Sequence, residues 1–328
     1  MRYLGIRFCL AYGCAWLFAC LLVLGLPAHG APATPEWPVV ANERPLSLPD
    51  NFNCSAWSPD GRRIAVVEAD PSRLNKTYNR IWLVDADKGI DGAKRFLCQV
   101  PRPGFTDVIW PAGNHLYIVR NRMWDLNLGG SLYRVRVADG KIDEIMRWPR
   151  SVVIWAEEVS RDGRYLAWQP TGGVEIVDLA AARKSRKAIY HWRPHGGVGI
   201  SWSPDGKRLV FGRDQDICVI SNTGKGLKTV CRNASHPRWS PDGRWIFFLR
   251  ETSEGRTSSG LEVNPRVHAW AVRPDGSGQH PLLPDLTQES HHVMCSPSGD
   301  RVLYSRTEYR EGTCPERWFV ATLRPGRT

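Results

Sequence analysis

The chain reads as all-β, a six-bladed β-propeller of four-stranded antiparallel blades, on three observations. A turn-forming phrase returns six times, strand-type residues follow each return, and the composition is poor in helix formers. Gly 30, Pro 24 and Trp 15 against Met 4 in 328 residues favour many turns and flat aromatic side chains over long helices. With 42% hydrophobic and 23% charged residues the balance is that of a globular protein, which excludes disorder as the main state.

The phrase is Trp57-Ser-Pro-Asp-Gly61 before RRIAVVE, Trp202-Ser-Pro-Asp-Gly206 before KRLVFGR, and Trp239-Ser-Pro-Asp-Gly243 before RWIFFLR. Worn copies are Val159-Ser-Arg-Asp-Gly163, Cys295-Ser-Pro-Ser-Gly299 and the shorter Trp110-Pro-Ala-Gly113. Their spacings of 53, 49, 43, 37 and 56 residues suit one four-stranded sheet per repeat. Each residue type has a mechanical reason. Ser caps the turn, Pro presets φ, Asp bonds the backbone, and Gly supplies the positive φ that closes a hairpin. The alternation after Gly predicts a strand leaving the turn.

A third strand follows in each repeat, at 81–85, 131–137, 174–179, 217–221, 267–272 and 318–323, and an outer strand comes after it, as in RFLC at 95–98 or KTVC at 228–231. The residue before the turn is expected to pack between neighbouring sheets, because one sheet alone leaves two apolar faces wet. The last repeat stops at its third strand, so the segment from Val39 to Pro49 is expected to supply the missing outer strand and latch the ring.

Ahead of the repeats, Arg2 and Arg7 precede an uncharged apolar run from Phe8 to Leu26 and the small-residue stretch Ala28-His29-Gly30-Ala31, the pattern of a secretory signal. The expected organisation is a signal over 1–31, cleaved or retained as an anchor, an N-terminal segment over 32–49, and the propeller over 50–328. Six cysteines then remain, Cys54, Cys98, Cys218, Cys231, Cys295 and Cys314, in an oxidising compartment. Cys218 with Cys231 is the preferred disulfide, across a hairpin in the fourth sheet. Net charge is +11, about +9 without the leader's two arginines. Export excludes nucleic acid as the partner. It leaves an envelope protein or peptide, an acidic glycan, or the membrane if the signal is retained.

These repeats resemble those of the TolB-like β-propellers, also found in the propeller halves of prolyl oligopeptidase-like enzymes, over about residues 50 to 324. The resemblance implies a Gram-negative bacterium, so the export signal predicts a periplasmic propeller, expected to be a monomer.

No nucleophile elbow, HExxH or phosphate-cradling Gly loop occurs. Gly276-Ser-Gly278 reads as a hairpin turn, and Asp214 with Asp216 as a turn with too few carboxylates for calcium. The basic pair Arg62-Arg63 and the run Arg183 to Lys187 read as solvated turns. His195, His236, His291 and His292 fall just before the phrase, where the innermost strands begin, and only His236 and His292 share a register. Long loops at 121–130, 251–265 and 309–316 should crowd the same rim, carrying Arg122, Trp124, Arg256 and Arg310. The expected role is non-catalytic binding of a protein or peptide through this rim, with no cofactor. The alternative is a metal-dependent carbohydrate lyase or hydrolase that holds a divalent metal on His236 and His292.

Overall fold

The structure, a computed structural model, describes residues 37–49, 52–68, 80–100, 105–111, 113–121, 129–149, 152, 154–170, 173–181, 186–191, 199–252, 255–256, 262–263, 266–282, 290–307 and 316–326. Six four-stranded antiparallel sheets follow in chain order. Blade one is Phe52–Trp57, Arg63–Glu68, Arg80–Asp85 and Gly89–Gln99; blade two is Phe105–Ile109, His115–Asn121, Gly130–Arg136 and Ile142–Trp148. Blade three is Ile154–Val159, Tyr165–Pro170, Gly173–Asp178 and Arg186–His191; blade four is Ile200–Trp202, Arg208–Arg213, Asp216–Ser221 and Lys228–Arg232. Blade five is Ser235–Trp239, Ile246–Thr252, Arg266–Val272 and His280–Pro281, with a small hairpin, Gly255–Arg256 against Glu262–Val263, between its second and third strands. Blade six is Ser290–Cys295, Arg301–Thr307 and Glu316–Gly326, completed by Trp37–Pro45 from the other end of the chain.

The repeated phrase folds as its residue types dictate. In blade one the Ser58 hydroxyl donates to Asp60 at 2.6 Å and accepts from the Arg63 amide at 2.8 Å, while Asp60 accepts from the Arg62 amide at 3.0 Å. Gly61 closes the turn at φ +67°. The same bonds recur at Ser160, Ser203 and Ser240. In the last copy Ser298 stands where Asp is usual, and Asp300 takes over as acceptor from Ser296 at 3.0 Å and from Ser298. Hydrogen bonds from these serines and from the turn amides hold the carboxyls of Asp60 and Asp205 below the usual aspartate range.

The second strand of each blade is buried on both faces, more fully than its polar alternation predicts. Ile246 and Phe248 face blade four, while Phe247 and Leu249 face blade six. Six apolar clusters result, one at each junction between blades, including the junction of blade six with blade one. Trp57, Trp110, Val159, Trp202, Trp239 and Cys295 each lie in the cluster shared with the preceding blade. Guanidinium groups from that preceding blade cover three of the tryptophans: Arg301 over Trp57 at 4.9 Å, Arg63 over Trp110 at 5.5 Å, and Arg208 over Trp239 at 4.8 Å. Arg62 is exposed as expected, but Arg63 is an interblade stack rather than a solvated turn residue.

The seam between the chain ends is held by the expected N-terminal latch. Trp37–Pro45 pairs antiparallel with Glu316–Gly326, Arg306 forms an ion pair with Glu43, and the Leu46 amide bonds the Trp318 carbonyl at 2.8 Å. Leu46 then enters the junction with blade one, where Ser47 accepts from the Ile90 amide at 2.9 Å. Gly89 sits at φ +62°, and a β-carbon there would lie 2.1 Å from the Ser47 carbonyl oxygen. Asp87 bridges the seam by accepting from Arg301 at 3.0 Å and from Arg44.

The expected Cys218–Cys231 disulfide does not form. Cys218 pairs in register with Thr229, and Cys231 with Ile217, so a shift between them turns the two thiols to opposite faces of the sheet. Cys218 packs toward blade three and Cys231 toward blade five, and both are free thiols, as are Cys98 and Cys295. Burial pushes the Cys98 thiol up to about 12. Cys314 and the side chain of Cys54 lie outside the described residues.

If closure depends on the latch, Leu46→Ala should cost about 2–5 kcal/mol for the lost buried side chain, and Gly89→Ala should be comparably damaging. Urea unfolding of the two variants beside Asp87→Ala measures this. Asp87 has half of its side chain exposed and should cost far less.

Candidate functional site

The inner strands of the six blades line the bore of the ring, and their first residues form one mouth of it. This is where the sequence placed its histidines. Four of these strands are interrupted near their start, with register shifts between Asn53 and Ser55, Ile154 and Glu157, Ser235 and Arg238, and Ser290 and His292. Bulges of this kind re-aim side chains that a regular strand would bury. His236 takes φ +53°. Its backbone lies so close to blade four that a β-carbon on Gly199 would sit 2.7 Å from the His236 Cα.

Along the bore, between this mouth and the turn-bearing end, the inner strands gather groups of both signs. Glu157 and Glu158 come from blade three, Asp107 from blade two, and Arg238 from blade five, with Asp107 and Arg238 close enough for their charges to act on both glutamates. Burial raises the Glu157 pKa above the usual glutamate range, and Asp107 raises it further while Arg238 lowers it. Glu158 is also raised by burial, against the opposing effects of Arg238 and of hydrogen bonds from the Trp202 amide, at 2.7 Å, and from Ser201. Arg238 donates to the Ile200 carbonyl at 2.6 Å, and the Trp239 amide donates to the Ser201 hydroxyl at 3.2 Å. These bonds tie the polar groups to the walls and to the blade junction beneath.

His236 keeps solvent-accessible surface but is surrounded by the walls of the bore. Desolvation first, then the charges of Arg238 and His292, push its pKa down to about 4. It is therefore a neutral imidazole at physiological pH, 3.0 Å from the Ser235 hydroxyl. His292 is exposed and stacked on Trp318, with ring centroids 5.3 Å apart. The pair that shares a register in the sequence is thus close enough to interact electrostatically. Among the described residues, no group of three or more His, Cys, Asp or Glu is placed to hold a metal ion.

The other candidates are placed less fully. Arg256 lies in the small hairpin of blade five and His291 in the inner strand of blade six, each described through its backbone. Arg122, Trp124, His195 and Arg310 lie outside the described residues, as do most of the long loops that carry them. Asp214 sits at φ +56° in a tight hairpin, and Gly276-Ser-Gly278 forms the turn between the last two strands of blade five. Asp107, Glu157, Glu158 and Arg238 are not marked by any of the sequence motifs. Their signal was available: all lie one to three residues before the aligned position, where an inner strand would otherwise be apolar.

These features define a six-bladed propeller of TolB-like fold with a polar, mixed-charge bore. No family model matches the chain. Among curated proteins it is 26% identical over 211 residues to an uncharacterized peptidase, YuxL, of Bacillus subtilis, covering 60% of this chain and 29% of the relative. It is 33% identical over 110 residues to the uncharacterized protein Atu1656 of Agrobacterium fabrum, covering 31% of this chain and 33% of the relative. The matched regions thus span about a third of these relatives. Among solved structures, one assigned to TolB of Agrobacterium tumefaciens superposes with a TM-score of 0.51 at 23% identity, covering 67% of this chain and 75% of that one. An oligogalacturonate lyase in complex with manganese gives 0.51 at 13% identity, covering 82% and 76%. At these identities the likeness establishes the fold alone.

The depressed His236 pKa has a definite consequence for stability. Protons bind the unfolded chain from pH 6.5 downward but the folded chain only from about 4, so stability falls as pH drops across that interval and levels off below it. Urea midpoints measured at pH 7 and pH 5 should differ more for the wild type than for His236→Gln. An NMR titration should show the imidazole unprotonated at pH 6.

Proposed function

We propose that this chain is an exported envelope protein that binds an extended segment of another protein, or a peptide, at the channel mouth. The observation that carries this reading is the set of fixed, unlike polar groups that Asp107, Glu157, Glu158, Arg238 and His236 bring to the inner strands of three blades, leading inward from the mouth. An extended backbone presents alternating donors and acceptors, and a mouth with both kinds on rigid strands suits such a ligand better than a single-sign patch would. Periplasmic location is supported by the signal-like segment over 1–31 and by the TolB-like fold.

Photo-reactive residues installed singly at positions 236 and 292, and at 205 and 242 on the turn-bearing end, test the reading in the native cell. Cross-links to one envelope partner should form from 236 and 292 and be absent from 205 and 242. Adducts from the turn-bearing end alone, or none from any position, would overturn it.

A second reading, a metal-dependent carbohydrate lyase or hydrolase, rests on the shared register and electrostatic proximity of His236 and His292. Stoichiometric divalent metal in the purified protein, lost in His236→Ala and His292→Ala, would put that reading first.

A further inference from the structure

The end of the ring that carries the Ser-Pro-Asp-Gly turns lies opposite the channel mouth, because antiparallel strands send alternate connections to opposite ends. At this end, between blades four and five, Arg208, Lys228, Arg244, Arg273, Pro274 and Asp275 line an open hollow of about 440 Å³. Its cationic groups are held in place. The Arg208 guanidinium lies 4.8 Å over Trp239, Arg273 lies 4.8 Å over Trp245, and the Lys228 ammonium donates to the Asp275 carbonyl at 2.8 Å. Arg244 pairs through Nε with Asp242 at 2.6 Å. Among the described residues Arg208, Lys228 and Arg273 form no ion pair.

The repeat supplies its own control. Strand register puts Asp275 of blade five where blade one has Asp87, and puts Arg208 of blade four where blade six has Arg301. At the seam, Asp87 reaches across and neutralises Arg301 at 3.0 Å, together with Arg44. Between blades four and five the equivalent carboxylate turns back on its own loop. Asp275 Oδ1 accepts from the Ser277 amide at 2.9 Å and from its hydroxyl at 2.6 Å, so Arg208 faces the hollow without that partner.

Four cations against the carboxylates of Asp205, which lies in the field of Arg208, of Asp242 and of Asp275 leave the hollow net positive. We propose that this hollow binds a doubly charged phosphate monoester, with the guanidinium forks and Lys228 on its oxygens. Guanidinium forks match phosphate oxygens in pairs, and the hollow is within the size range of small-ligand sites, about 300–1,000 Å³. The site stands apart from the channel mouth and does not rest on the peptide-binding reading.

Calorimetric titration of the protein with glycerol 3-phosphate at low ionic strength tests this, beside sedimentation with phosphatidic acid vesicles to separate a free ester from a lipid headgroup. Lys228→Gln and Arg244→Gln are the informative variants, because Lys228 is exposed and the Arg244 side chain is 71% exposed, so both should melt like the wild type. One equivalent of glycerol 3-phosphate should bind, weakened about tenfold or more by either substitution and unchanged in His236→Ala. Binding confined to the vesicles and lost in the same variants would also support the site and would assign a headgroup as the source. No saturable binding of either probe, or variants that bind like the wild type, would overturn the proposal.

Discussion

A four-stranded sheet with apolar side chains on both faces stays dry only between two others, and the molecule depends on this constraint. Each junction has its own cluster of buried side chains, and the first and last blades share one just as interior neighbours do. Closing the ring therefore buries the faces that a linear stack would leave wet. The seam is the one place where covalent continuity does not help. There the chain adds a borrowed strand, a buried leucine and the carboxylate of Asp87.

The repeated phrase couples the hairpin to this packing. Its serine and aspartate fix the turn, so the residue before it enters the junction with the preceding blade at a constant depth. The residue six positions further on, Arg63, Arg208 or Arg301, is carried to the next junction and lies over the following tryptophan. One local motif thereby sets two interfaces. The same periodicity makes departures from it visible, as at Asp275, where a serine two residues on draws the carboxylate into its own turn and leaves the arginine across the junction facing a hollow.

The channel mouth follows different rules. Except for Asp107, its polar groups sit on inner strands whose bulges break the regular alternation, and their charges interact across blades rather than along the chain. Glu157 and Asp107 are fifty residues apart in sequence, and nothing in the local pattern of either marks the other as a neighbour. His236 was legible as a candidate from its place before the phrase. Its neutral state was not, because that arises from walls contributed by other blades and from the charge of Arg238.

By itself the sequence determined the number of blades, the turn chemistry, and the need for an N-terminal strand to complete the last sheet, because each follows from residues a few positions apart in a repeating phrase. It misjudged Cys218 with Cys231, because a single shift in strand pairing reverses the face a side chain occupies and leaves no mark in the residue types. Tertiary structure alone decided which carboxylates and guanidiniums meet across blades. Their encounters depend on the rotation from one blade to the next, and that rotation is set by packing at the junctions rather than by any segment of the chain.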